Sequence, residues 1–244
     1  MKYEIHDGER LDDLLIDGMK LIQRPDEFCF SIDAVLLAHF GAVRPKQRIL
    51  ELGSGTAVIP LLLTSLGANS VDGIELNPVM ADICRRNVAM NGREDKIRIL
   101  EGDYRNIENL VVSGSYDLVY VNPPYREAGR GYINAHAGIG KACHEMTATL
   151  ADVLHAVRYS LKYRGRLRMI HLAERLPQIM EALRHADLEP KRLQCVHGSE
   201  TKPSKLILVE AVRGGHDGME VLPPLFIYGK DGEYSDTVRQ WYGK

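Results

Sequence analysis

The sequence predicts an α/β fold, a seven-stranded mixed sheet with helices on both faces and a small N-terminal extension of hairpin and helix. Three observations lead there. From residue 48 onward, apolar runs of strand length alternate with stretches whose apolar residues recur at three- and four-residue spacing. Strands joined by crossover helices run parallel and are covered on both faces. The last two strand-like runs follow each other with no helical pattern between them, which makes that pair antiparallel.

Taken in order, residues 14–16 and 19–22 read as two short strands around Asp17-Gly18, a dipeptide that tolerates the positive φ of a tight turn. Ser31 or Asp33 caps a helix through Ala34-Val35-Leu36-Leu37-Ala38 that stops near Gly41 and Pro45. Strands follow at 49–52, 70–76, 97–101, 117–122 and 166–172, with helices at 58–66, 78–91, 148–161 and 174–186 between and after them. The antiparallel pair takes 192–197 and 206–212. Beyond it, Gly214-Gly215, Gly218, Pro223-Pro224 and Gly229 break any long helix before 235–242, and Leu222, Leu225, Phe226 and Ile227 let the tail pack back. The chain divides on this reading into an extension (1–46), a main unit (47–213) and a tail (214–244).

At 244 residues, 45% hydrophobic and 26% charged, the chain has the size and balance to bury one large core in water. No apolar run approaches the ~18 residues of a membrane span, and residues 1–10 lack the basic start and apolar centre of a secretory signal, so a cytoplasmic location is expected. Cys29, Cys84, Cys143 and Cys195 form no Cys-x-x-Cys pair, so neither a zinc site nor a disulfide framework is expected, and no metal is assigned. A net charge of -2 excludes a uniformly basic coat for nucleic acid but allows a basic face. Candidates for that face are Arg158, Lys162, Arg164, Arg166 and Arg168, then Lys191, Arg192, Lys202 and Lys205.

Glu51-Leu52-Gly53-Ser54-Gly55-Thr56-Ala57 leaves a strand and enters a helix. Gly53 and Gly55 permit a tight turn and close backbone approach to a bound nucleoside, and Glu51 precedes them. Glu75 ends the next strand, where a carboxylate accepts from ribose hydroxyls in more than one class of nucleotide-binding sheet. These residues alone suit a nicotinamide-dependent oxidoreductase equally well. Gly102-Asp103-Tyr104, after the third strand, resembles the methyltransferase motif in which the Asp accepts from the adenine amino group of the cofactor; the bland alternative is that Asp103 caps a helix.

Asn122-Pro123-Pro124-Tyr125 sits at the carboxyl end of the fourth strand, where open α/β sheets place their ligands. The lone pair of an aromatic amine is delocalised, so the amine is a poor nucleophile until it is held. The Asn122 side-chain oxygen and the Pro123 carbonyl can accept its two N–H bonds and leave the lone pair aimed outward. The two prolines fix the backbone behind that carbonyl, and Tyr125 offers a flat face for stacking.

Together, the alternating units, the antiparallel closure and these motifs resemble the class I S-adenosylmethionine-dependent methyltransferases over residues 47–213. The tetrapeptide is similar to that of enzymes methylating planar amino groups of adenine, cytosine, guanine or glutamine amide. Over nearly the whole chain, the sequence resembles the bacterial tRNA adenine-N6 methyltransferases that act on the adenosine next to the anticodon of a valine tRNA. Phe28-Cys29-Phe30-Ser31-Ile32-Asp33, His144-Glu145, Thr149-Leu150, Lys202-Pro203 and Val221-Leu222-Pro223-Pro224-Leu225 carry that likeness. It implies S-adenosylmethionine as cofactor and tRNA as partner. Catalysis then falls to Asn122, Pro123, Pro124 and Tyr125, and cofactor binding to Glu51, Gly53, Gly55, Glu75, Asp103, Tyr104 and Asn122. Phe28, Phe30, Lys202 and Lys205 are candidate RNA contacts.

Two positions depart from the pattern: Ala57 stands where a third glycine is common, and Cys143 where Arg often precedes His-Glu. Residues 1–50 before the cofactor loop read as a hairpin and one helix rather than the helical domain of the glutamine methyltransferases, which favours the nucleic-acid branch. Acceptors such as rRNA guanine, DNA adenine or protein glutamine, and a non-catalytic RNA-binding adaptor, are the alternatives. The chain is expected to be a monomer or a homodimer.

Overall fold

The computed structural model describes residues 4–27, 29–123 and 148–242. At its centre lies β3 (Ile49–Leu52), every residue of which is buried. It pairs in parallel with β4 (Val71–Glu75) on one side and β6 (Tyr116–Val121) on the other, and β5 (Ile97–Glu101) extends the β4 side. On the other flank, β7 (Leu161–Leu172) is parallel to β6, and β9 (Ser204–Arg213) runs antiparallel between β7 and β8 (Leu188–His197). These are the seven strands that the alternation predicts.

The tail adds two short strands, β10 (Glu220–Val221) and β11 (Leu225–Phe226), both parallel to β8, which brings the sheet to nine strands among the described residues. They satisfy the outer edge of β8, which otherwise presents unpaired backbone groups. Two-residue pairings carry no periodicity, and the sequence gives no sign of them beyond the apolar Leu225 and Ile227, 7% and 8% exposed.

Among the described residues lie helices α1 (Ile32–Ala38), α2 (Val58–Ser65), α3 (Pro78–Met90), α4 (Leu150–Ser160), α5 (Leu176–His185) and α6 (Asp236–Trp241), with 3-10 helices at Tyr104–Asn109 and Ala173–Arg175. Local chemistry sets their starts. Ser31 caps α1, Asn77 with Pro78 opens α3, and Thr149 and Asp152 form a capping box on α4. One buried cluster joins α1 and α2 to hairpin residues Leu14, Ile16 and Met19 and to Leu225 and Ile227 of the tail. A second lies on the other face beneath α4 and α5.

The hairpin differs from its expected register. β1 (Arg10–Asp13) pairs with β2 (Lys20–Gln23), so residues 14–16 are not a strand but part of a six-residue turn closed by the Leu14 N–H donating to the Met19 carbonyl at 2.9 Å. Asp17 and Gly18 do take positive φ, 49° and 64°. The apolar residues of the turn serve the core rather than a ladder. β7 likewise starts earlier than 166, because the chain pairs Leu161 with Tyr116 and then bulges before pairing Arg166 with Leu118.

Arg168 fastens the extension to the sheet. It is 5% exposed, donates to Glu210 Oε2 at 2.9 Å and to the Tyr120 hydroxyl at 2.7 Å, and reaches the carbonyls of Gly41 and Ala42 at 2.9 and 3.0 Å. Such a buried pair holds because its remaining donors are satisfied.

Candidate active site

The sheet order reverses between β3 and β6. From β3 the chain works outward through β4 to β5, then returns and continues outward from β6 on the other side. Such a reversal opens a crevice beyond the carboxyl ends of the two strands. Leu52 lies in register with both Ile74 and Val121, so the 53–57 turn, Glu75 and Asn122-Pro123 emerge side by side. Glu75 pairs with Glu101, which brings Gly102-Asp103-Tyr104 into the same row.

The first turn is held by its neighbours. Gly53, Gly55 and Ala57 alternate in the left-handed region at φ 78°, 56° and 62°. For Ala57 that backbone costs about 1 kcal/mol that glycine escapes, so the third glycine of the family pattern answers a backbone need and not only close packing. Gly53 and Ser54 N–H groups both donate to the Ile74 carbonyl, at 2.9 and 3.0 Å. The Gly55 N–H donates to Glu75 Oε2 at 2.8 Å, and the Cys84 thiol to the Gly55 carbonyl at 3.1 Å.

Asn87, on α3 and fully buried, donates to the carbonyls of Thr56 and Ile22 at 3.0 Å each and accepts from the Ile22 N–H at 2.6 Å. One amide thus ties the N-terminal hairpin to the 53–57 turn. Sequence reasoning missed Asn87; its signal is a polar residue inside the apolar stripe that Ile83, Cys84 and Val88 define. It missed Gly73 too, where any Cβ would collide with the Ser54 hydroxyl.

Glu51 is 2% exposed, and burial, with the neighbouring Glu75 adding and the Ser54 hydroxyl opposing, pushes its pKa up to about 8. Among the described residues, Glu51 Oε2, Ser54 Oγ and Thr56 Oγ1 are buried and lack a hydrogen-bond partner within bonding geometry. Three such atoms at one turn are rare in a settled core, where buried polar groups are paired.

Glu75 is pushed up by burial against the pull of three backbone donors, Gly55 at 2.8 Å and Leu76 and Asn77 at 3.0 Å each. A carboxylate offers about four lone-pair sites, so one remains. Asp103 performs the capping role on the 3-10 helix, accepting from the Arg105 N–H at 2.9 Å, and the Arg105 guanidinium beside it holds its carboxyl below the usual range. Tyr104 is half-buried beside it, its phenol pushed up to about 12 by burial.

Asn122 and Pro123 are half-buried at the end of β6. Phe28, Pro124, Tyr125, Cys143 and His144-Glu145 lie outside the described residues. Phe30 lines a hollow with Tyr234 and Tyr242 of the tail.

Most of the candidate basic residues are engaged by neighbouring groups. Lys162 is paired with Asp117 and Arg158 with Asp187. Arg166 and Arg168 share Glu210, Arg164 bonds the Gly214 carbonyl, Lys191 bonds the carbonyls of His216 and Gly218, and Arg192 pairs with Glu220. Only Arg168 of the run is buried; the others make their pairs at the surface. Lys202 and Lys205 are exposed, and because β9 starts beside the end of β7, they stand at the same edge of the sheet as the crevice.

No helix among the described residues is long and apolar enough to cross a membrane, and none of their side chains form a group of three or more His, Cys, Asp or Glu able to hold a metal ion.

Residues 49–129 match the family model described as a methyltransferase domain. A protein of Shewanella sp. (strain MR-4) named tRNA1(Val) (adenine(37)-N6)-methyltransferase is 24% identical over 85% of this chain and 87% of its own length. One of that name from Porphyromonas gingivalis is 29% identical over 73% of this chain and 72% of its own. Among solved structures, a predicted O-methyltransferase from Agrobacterium tumefaciens superposes with a TM-score of 0.69 at 20% identity, covering 86% of this chain and 95% of that one. Pyrococcus horikoshii TYW2, solved in complex with MeSAdo, does so with a TM-score of 0.61 at 13% identity, covering 86% and 73%. The chain has the fold of the class I methyltransferases and, along most of its length, is similar in sequence to proteins named tRNA1(Val) (adenine(37)-N6)-methyltransferase.

Proposed function

We propose that this chain transfers a methyl group from S-adenosylmethionine to N6 of an adenosine in tRNA, the one beside the anticodon of a valine tRNA. The observation that carries the reading is the adjacency of Asn122-Pro123 and the 53–57 turn across the switch point, on neighbouring strands in register. An amine held by the first faces a ligand held by the second. The names of the relatives point to the same reaction.

The turn fits the cofactor. Glu51 brings an unpaired buried oxygen, suited to a ligand that carries positive charge, and Ser54 and Thr56 bring two further polar atoms. Gly53 and Gly55 admit the nucleoside, the remaining lone pair of Glu75 accepts from ribose, and Asp103 with Tyr104 faces the adenine. Once bound, the cofactor supplies an electrophilic methyl on a sulfonium.

Asn122 Oδ1 and the Pro123 carbonyl hold the two N–H bonds of the target amine, so that its lone pair points at the carbon under attack. Methyl transfer would make the nitrogen acidic, and its proton would pass to water while Asn122 Oδ1 and the Pro123 carbonyl keep the amine in place. Alignment and fixed dipoles do the work. In this reading residues 47–213 carry the chemistry, and the extension and tail contribute RNA contacts.

Glu75→Ala is expected to weaken cofactor binding roughly 10- to 100-fold by calorimetry, the worth of hydrogen bonds to a charged acceptor. Glu75→Gln, which keeps an acceptor for the Gly55 N–H, loses less. An unchanged affinity removes Glu75 from the site. Reversing Lys202 and Lys205 to Glu is expected to raise KM for tRNA several-fold, with turnover and cofactor affinity kept, because phosphate contacts position without reacting. Insensitivity to both salt and reversal leaves these lysines as solvated surface. The reaction itself is tested by transfer from labelled cofactor to tRNA transcripts, with product identified after digestion; label on guanosine or on protein selects one of the other planar amines.

A further inference from the structure

A hollow of about 120 Å3 lies between the hairpin turn and the tail, walled by Phe30, Tyr234 and Tyr242, with Leu15, Asp13 and Arg239 completing it. Its aromatic wall is the end of a stack: Tyr228 and Tyr234 lie 5.5 Å apart at 13°, and Tyr234 and Tyr242 5.7 Å apart at 9°. Tyr242 packs against the core, whereas the other two rings reach solvent. Tyr228 is 42% and Tyr234 37% exposed, and Leu15 is 51% exposed while held at φ 59°, a conformation costly for a leucine.

The hollow sits near the catalytic edge. The Tyr228 N–H donates to the Gly198 carbonyl at 3.0 Å, in the turn that leads to Lys202 and Lys205. On the other side, Glu27 accepts from Asn77, which follows Glu75 and caps α3. Only three residues of chain, at most ~11 Å, separate Glu27 from Phe30.

We propose that this hollow is a second nucleobase pocket, which seats an unstacked nucleotide flanking the target while the target itself is held at Asn122. The proposal rests on the RNA reading above and assigns it a surface. Flat aromatic walls suit a base, because sequence-specific RNA recognition takes splayed bases onto aromatic faces. Asp13 and Arg239 give its edge an acceptor and a donor. Asp13 Oδ1 is engaged by the Leu15 N–H at 2.7 Å, leaving Oδ2, and Arg239 is oriented by Asp231 at 3.1 Å.

The test uses the full chain and an anticodon stem-loop RNA carrying 2-aminopurine in turn at each nucleotide beside the target. One position is expected to lose fluorescence on binding, and Tyr234→Ala to abolish that change. Tyr234→Ala is expected to raise KM for the RNA roughly tenfold, from the stacking lost. Tyr234→Phe should stay within twofold of wild type, and both should keep kcat and cofactor affinity. Leu15→Glu, a change on the hairpin side of the hollow, moves KM the same way with every tail residue kept. If wild type methylates the RNA while Tyr234→Ala and Leu15→Glu leave its KM unchanged, the pocket is overturned and the proposed function stands. If sedimentation shows a dimer that Leu15→Glu dissolves with KM unchanged, the face binds a second copy and the proposal is likewise overturned. A wild-type chain that methylates no RNA defeats the functional reading and this one with it.

Discussion

Asn122→Ala is expected to lower single-turnover methyl transfer about 10²–10³-fold, while RNA and cofactor affinities stay within a few-fold of wild type. The size follows from what removing one preorganised polar group from a reacting centre costs in other enzymes. The selectivity follows from the role. In the ground state the amine can bond to water as well as to Asn122, so binding loses little. In the transition state only a correctly placed acceptor keeps the lone pair aligned, so the loss falls on turnover. Asn122→Asp separates geometry from charge: the acceptor is kept, a negative charge is added beside the site, and partial activity is the expected result. Near wild-type transfer by Asn122→Ala, with N6-methyladenosine still the product, contradicts the assigned role.

Glu51→Gln is expected to stabilise the cofactor-free protein and weaken cofactor binding at once. Burial raises the folded-state pKa of Glu51 from an ordinary 4.5 to about 8. For an acid raised in this way the stabilising contribution is full below pH 4.5 and is lost as pH climbs toward 8, where the folded state must bury a charge. The amide has no such charge. Its advantage is therefore nil in acid and reaches roughly 2–4 kcal/mol near pH 8, a rise of roughly 5–15 °C in Tm for a chain of this size. A positively charged ligand reverses the balance by lowering the pKa of Glu51. Wild-type cofactor affinity should thus strengthen from pH 6 to pH 8 with release of a proton, and Glu51→Gln should bind weakly and show no such slope. Melting curves of the two proteins that stay parallel across this range place the origin of the unpaired oxygen elsewhere.

The central elements were legible because their signals are long or chemically specific. Ile49–Leu52 and Ile97–Glu101 fall at their expected bounds, and the glycine turn, Glu75, Asp103 and Asn122 share one edge, since parallel strands of one sheet must end together. What was not legible depends on contacts between distant parts of the chain. Residues 14–16 look like a strand because they are apolar, yet the same apolarity serves a turn folded onto the core. The run Arg158 to Arg168 looks like a phosphate-binding face in one dimension. Partners at Asp117, Asp187 and Glu210, brought in from distant parts of the chain, pair with it.

The motif around Phe30 makes it a candidate RNA contact, and only the tail, two hundred residues on in sequence, reveals the Tyr234 and Tyr242 rings beside it. Asn87 bonds to Ile22 and Thr56, 65 and 31 residues away, and no local pattern predicts those partners. Of the two roles the sequence allows Asp103, capping is the one its bonds show. Its capping bond and its ion pair with Arg105 are compatible with a further acceptor role, because a carboxylate retains lone pairs beyond those used.

The most direct measurement of the central claim is nucleoside mass spectrometry of the valine tRNA from cells with and without this chain, followed by restoration with wild type and with Asn122→Ala. The account predicts N6-methyladenosine beside the anticodon in the parent, its loss without the chain, its return with wild type and its absence with Asn122→Ala. An unchanged modification in cells lacking the chain, with no other enzyme of the cell able to install it, contradicts the account.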